Sequence, residues 1–152
     1  MSYKVIPIPS EISERVRENL KSPQYGHPAT VDIAKGYGPC RSCLKTFDQG
    51  QEERILFTYN SFEGLSNLPL PGPIFIHKDS CKAYSENSFP IDLREIPMLL
   101  EGFGENSELI KREPVKIIEI DEQIEELLNL PNVLYLNLRN SEAGCFIARI
   151  EA

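Results

Sequence analysis

The side chains of this 152-residue chain best suited to binding soft cations or attacking electrophiles are its four cysteines, together with its two histidines. Cys40-Arg41-Ser42-Cys43 is a C-x-x-C pair. On a turn, that spacing aims two sulfurs at one ion about 2.3 Å from each. His77-Lys78-Asp79-Ser80-Cys81 supplies a second pair of ligand types, with 33 residues between Cys43 and His77. Three thiolates and one imidazole are the composition of a closed tetrahedral zinc site. Cys40, Cys43, His77 and Cys81 are therefore the candidate metal ligands, with zinc the candidate cofactor.

The same residues admit two other uses. Cys40 can act as a thiolate nucleophile with His77 as its base, or Cys40 and Cys43 can form a redox pair, with Arg41 or a histidine lowering the sulfur pKa. Alternatively the cysteines are small core residues, His77 is an imidazole satisfied by a backbone carbonyl, and the protein is a non-catalytic binding module. The residue pattern does not decide whether the protein is an enzyme. His27, in Tyr25-Gly26-His27-Pro28, reads as an exposed loop histidine that offers a further ligand or base. A phosphate-cradling glycine loop, a serine nucleophile elbow and a paired-histidine zinc motif are all missing from the sequence.

The elements that must carry these side chains read as a single α+β domain over residues 1–152, mainly antiparallel sheet with a few short helices. Tyr3–Ile8 is a strand, and Ser10 caps a helix with Ile12, Val16 and Leu20 on one stripe, ended by Pro23. Thr30–Ala34 is a strand. Gly36-Tyr37-Gly38-Pro39 then forces a turn just before Cys40. Arg54–Tyr59 is a central strand, Ser61–Pro73 an ordered surface loop, and Ile74-Phe75-Ile76 a strand delivering His77 at its end, where Asp79 or Ser80 can cap a turn or short helix. Leu93, Ile96, Leu99 and Leu100 suggest helical turns interrupted at Pro97. Val115–Ile120 reads as a strand, and Asp121 as the cap of a helix that turns Ile124, Leu127 and Leu128 inward and leaves Glu122, Glu125 and Glu126 solvated. Alternation through Leu134, Leu136 and Leu138, a turn at Ser141–Gly144, and alternation through Phe146, Ala148 and Ile150 predict a C-terminal β-hairpin with one buried face.

Bulk properties narrow the partners. The chain is 41% hydrophobic and 26% charged, an ordinary globular mixture. A formal charge of −7 opposes a polyphosphate partner, and the scattered Lys and Arg form no run for a phosphate backbone or an anionic membrane. Nucleic acid and membrane are disfavoured; a small anion or a protein remains open as partner, and the oligomeric state is not legible. With neither a secretory leader nor about 18 uninterrupted apolar residues, the expected address is the cytoplasm, where cysteines stay reduced or ligate metals.

Three stretches together resemble a known family. Gly38-Pro39-Cys40-Arg41-Ser42-Cys43-Leu44, Gly72-Pro73-Ile74-Phe75-Ile76-His77 with Cys81, and Arg139-Asn140 with Gly144-Cys145-Phe146 are similar to motifs of a small bacterial family catalogued as domain of unknown function 1203. The resemblance runs from about Tyr3 to Glu151 and brings no biochemical activity with it. It implies that Cys40, Arg41, His77, Cys81, Arg139, Asn140 and Cys145 are patterned positions on loops and strand ends, which suit a site better than a core. On that basis Arg41, Arg139, Asn140 and Cys145 are candidate ligand-binding residues. Cys145 is then an alternative metal ligand, and a small anion can be placed between Arg41 and Arg139.

Overall fold

The computed structural model describes residues 3–61 and 72–152. It is an α+β arrangement of two antiparallel sheets. The first strand, β1, spans Lys4–Ile6 and is followed by helix α1, Ser10–Asn19. Ser10 lies inside the helix rather than capping it; Pro9 holds the cap position without a side-chain hydrogen bond. Pro suits this entry because it has no N–H to leave unpaired. The inward stripe ends at Val16, because Leu20 adopts the left-handed conformation (φ 52°) that closes the helix and is 40% exposed.

The smaller sheet is made of β2 (Thr30–Ile33), β3 (Glu53–Tyr59) and β4 (Gly72–His77), in the order β2-β3-β4. The central place of β3 agrees with its apolar, β-branched and aromatic sequence. The expected loop over Ser61–Pro73 lies mostly outside the described residues, but Gly72 and Pro73 already belong to β4. Pairing of Arg54 with His77 fixes the register at the end of this hairpin.

The larger sheet is ordered β1-β8-β7-β5-β6, with β5 at Met98–Phe103, β6 at Leu109–Pro114, β7 at Tyr135–Asn140 and β8 at Phe146–Glu151. Two expectations fail here. The helical turn expected around Leu93 forms as a 3-10 helix over Ile91–Glu95, but helix does not resume after Pro97, where the chain becomes β5, which pairs with both β6 and β7. Val115–Ile120 is not a strand either. The ladder ends where Val115 N–H donates to Met98 O, a 3-10 turn follows at Ile117–Glu119, and Ile120 begins helix α2, Ile120–Leu128. Asp121 accordingly lies within the first turn, not at the cap. A carboxylate there is still favourable, because helix N-termini carry partial positive charge.

The C-terminal hairpin of β7 and β8 forms as predicted, but both of its faces are covered. Leu136, Leu138, Ala148 and Ile150 pack beneath α2 in the larger core, while Asn137, on the other face, is 1% exposed. A register shift beside Arg139 turns Phe146 toward the smaller core. On that outer face Glu101 is 3% exposed and held by two cations. Arg112 Nη2 lies 2.6 Å from Oε2, and Arg139 Nε donates to Oε1.

Two apolar cores result. The larger lies between the five-stranded sheet and α2; the smaller lies between α1 and the three-stranded sheet, and includes Cys40 and Cys43. Leu44, the residue directly after Cys43, sends its side chain into the larger core, where it is 1% exposed.

Candidate metal centre

The C-x-x-C segment leaves β2 through a tight turn and folds back on itself. Phe47 N–H donates to Tyr37 O (2.9 Å), Cys40 N–H to Lys45 O (3.0 Å) and Leu44 N–H to Cys40 O (2.9 Å). Gly38, at φ 92°, is required twice over: the conformation is left-handed, and a Cβ there would stand 2.5 Å from the Phe47 ring. The segment docks on the open edge of β4. Arg41 N–H donates to Phe75 O (3.0 Å), and Arg41 O accepts from Ile8 N–H (3.3 Å). This seats both cysteines beside the end of β4, where His77 emerges.

The four sequence-predicted ligands come together. The Sγ atoms of Cys40 and Cys81 are 3.9 Å apart, and Cys43 Sγ is 3.4 Å from His77 Nδ1. All four donor atoms lie within 4.8 Å of one another, with Cys40, Cys43 and His77 at buried to nearly buried positions and Cys81 partly exposed. Donors bound to one tetrahedral zinc stand about 4 Å apart, given bonds of about 2.0–2.3 Å. The group could hold a metal ion.

An outer layer surrounds it. His77 Nε2 is 3.1 Å from Glu52 Oε2, so Nδ1 faces the sulfurs and Nε2 faces a carboxylate. Phe47 lies against the imidazole, ring centroids 4.7 Å apart. Two of the sulfurs receive an N–H from outside the donor set. His77 N–H donates to Cys40 Sγ (3.3 Å), and Arg17 Nη2 donates to Cys81 Sγ (3.3 Å). Arg17 also donates through Nε to His77 O at 3.1 Å, which ties α1 to the site.

These neighbours redistribute the protons. Hydrogen bonding to Cys40 and then to Cys81 raises the His77 pKa from its ordinary value to about 10. Hydrogen bonds from Cys40 and Cys43, then from His77, with the charge of Arg17, hold Cys81 well below the usual thiol range. Cys43 is pushed up by hydrogen bonding to Cys40 and Cys81 and by burial. The cluster thus already favours one thiolate; a bound divalent ion would take the remaining protons. Cys43, His77 and Cys81 also line a cleft of about 580 Å3.

The other sequence-predicted site residues lie elsewhere. Arg41 is 3% exposed and gives Nε to Phe146 O (2.6 Å) and Nη1 to Pro39 O (2.5 Å), and burial lowers its pKa to about 10. Arg139 is held by Glu101 and by Gly144 O (2.9 Å). Asn140 Oδ1 accepts the amides of Glu142 and Ala143, both at 2.9 Å, while its Nδ2 donates to Tyr37 Oη at 2.8 Å. Cys145 stands outside the four-residue group and lines a separate small cavity with Arg139. His27 is exposed and stacks on Tyr25.

The model of the family described as a protein of unknown function, DUF1203, matches residues 37–152. The chain belongs to the DUF1203 family. The matched span includes all four residues of the cluster and also Glu52, whereas Arg17 precedes it. No curated protein and no solved structure matches the chain. Sequence reasoning missed Glu52 and Arg17. Glu52 becomes visible once the hairpin register is known, since it sits diagonally from His77 across β3 and β4. Arg17 carries no local signal at all, because only the docking of α1 brings it near.

Proposed function

We propose that this member of the DUF1203 family is a zinc protein in which Cys40, Cys43, His77 and Cys81 supply all four ligands of a structural ion. The supporting observation is the convergence of three sulfurs and one imidazole nitrogen within 4.8 Å. The donor set is soft, which favours zinc over hard cations such as calcium and magnesium. Four protein ligands leave no position for water, and N–H donors on Cys40 and Cys81 quiet the nucleophilicity of those sulfurs. Both features favour structure over catalysis. The ion would fasten the cysteine turn, the end of β4 and the segment around Cys81 into one unit. Free thiols and a thiolate metal site suit a reducing compartment, which supports a cytoplasmic address.

The test is metal analysis of untagged protein purified under reducing conditions, followed by cobalt substitution. One zinc per chain, and intense thiolate-to-cobalt charge-transfer bands, are expected. Protein that carries no metal and gives no cobalt spectrum when reduced overturns the reading. A thiol enzyme is the competing reading, favoured by the opening of Cys43 and Cys81 onto the cleft. It would be recognised by one cysteine alkylating far faster than the others in metal-free, native protein near neutral pH.

A further inference from the structure

A divalent ion held by three thiolates and a neutral imidazole carries a net charge of −1, and a half-buried anion of this kind needs a counter-charge. One N–H directed at the sulfurs belongs to the backbone, at His77. Another belongs to the guanidinium of Arg17, the one cationic side chain outside the four-residue group, among the described residues, with a hydrogen bond to a cluster sulfur. Its second prong, on His77 O, fixes its position. It reaches Cys81, the most exposed of the four ligands and one that opens onto the cleft. A charge-assisted hydrogen bond takes electron density from the sulfur most open to attack.

We propose that Arg17 is the positioning residue that neutralises the metal centre and shields Cys81 from electrophiles. This rests on the zinc reading. Arg17 would set how readily the centre reacts and releases its ion, while the four ligands set whether an ion is bound. Helix α1 is therefore part of the site, although it contributes no ligand.

The test uses the full-length zinc-loaded chain as wild type, Arg17→Met and Arg17→Lys. Zinc content is measured first, and one ion per chain is expected in all three. Iodoacetamide is then added, and zinc release is followed with a colour-forming chelator while peptide mass analysis finds the first carboxamidomethylated cysteine. In that reaction sulfur bonds to the methylene carbon and iodide leaves. Arg17→Met should release zinc roughly tenfold faster, with Cys81 modified first, because a charged hydrogen bond to the sulfur has been lost. Arg17→Lys, which keeps the charge but not the two-pronged grip, should fall between. In the cobalt-substituted proteins the thiolate charge-transfer band should move to lower energy in the Met variant, which loss of helix packing alone would not produce. Zinc bound equally in all three proteins, with unchanged release rate and cobalt band, overturns the role of Arg17 and leaves the zinc reading intact. Wild-type protein without metal overturns both. If Arg17→Met does not fold, release from Arg17→Lys at the wild-type rate overturns the proposal.

Discussion

Glu52 Oε2 stands 3.1 Å from His77 Nε2, on the opposite side of the imidazole from Cys43 Sγ, which is 3.4 Å from Nδ1. The carboxylate orients the ring so that Nδ1 faces the sulfurs, and with an ion bound there it would hold the remaining proton on Nε2. Its other oxygen accepts from Asp48 N–H at 2.7 Å, so the orienting group is itself oriented. Outer carboxylates of this kind typically change metal affinity by about 10–100-fold. Glu52→Ala should therefore weaken zinc binding by roughly that factor without abolishing it, as measured by competition with a chelator of known affinity. Unchanged affinity would show that the contact plays no part in holding the ion.

Cysteine replacement separates the cluster from the fourth thiol. Cys40→Ser and Cys43→Ser should each lose stoichiometric zinc and unfold at lower temperature, because a ligand is removed from a closed site. Cys145→Ser, whose sulfur lies outside the cluster, should keep one zinc per chain and melt close to wild type. Metal loss on replacing Cys145 would mean that the ligand set is drawn wrongly.

A different kind of stability resides in the larger sheet. Glu101, buried between Arg112 and Arg139, compensates two guanidiniums whose side chains are 55% and 18% exposed. Glu101→Ala strands these cations, Arg139 above all, and should destabilise the fold by about 3 kcal/mol in urea unfolding. Zinc content should not change, since the network and the metal centre share no residue. A loss below about 1 kcal/mol would place the pair among weak surface contacts.

The Asp32–Arg54 pair predicts a modest pH effect. The hydrogen bond from Arg54, then its charge, keeps the Asp32 carboxyl below its ordinary value of 3.8. A depressed carboxylate contributes stability that is present above the unfolded-state pKa and lost as pH falls through the folded one. The pair lies partly in solvent, at 10% and 35% side-chain exposure for Arg54 and Asp32, so its contribution is no more than about 1 kcal/mol. Asp32→Asn should be slightly less stable than wild type at pH 7, and the gap should close as the pH falls below the ordinary carboxyl value of 3.8 and through the lower folded-state value. A gap that persists in strong acid would point to packing instead of charge.

Much of the candidate site is legible in the sequence because ligand chemistry is local. Cys40 and Cys43 sit on a turn that Gly38 and Pro39 announce, and His77 follows a short apolar strand. Neither signal depends on distant packing. Leu99, Leu100 and the segment Val115–Ile120 fold otherwise than their spacing suggests, because their apolar residues satisfy helical and strand spacing alike. Pairing of Leu100 with Leu138 and Glu113 decides for a strand at β5, and that choice comes from sequence-distant partners. The hairpin's outer face was misread for a similar reason: nothing in Asn137 or Arg139 announces that Glu101 lies across from them. Arg17 was illegible on the same ground, since its role begins only when α1 meets the end of β4.

Leu44 follows Cys43 in a left-handed backbone conformation, φ 61°, that branched and bulky residues seldom adopt and glycine adopts freely. The chain accepts this strain and gains an anchor: the cysteine turn, whose Cys40 and Cys43 belong to one core, sends Leu44 into the other. Leu44 therefore gives the cysteine turn a direct contact with the second core, the route by which a displacement at the sulfurs would reach side chains that lie far from them.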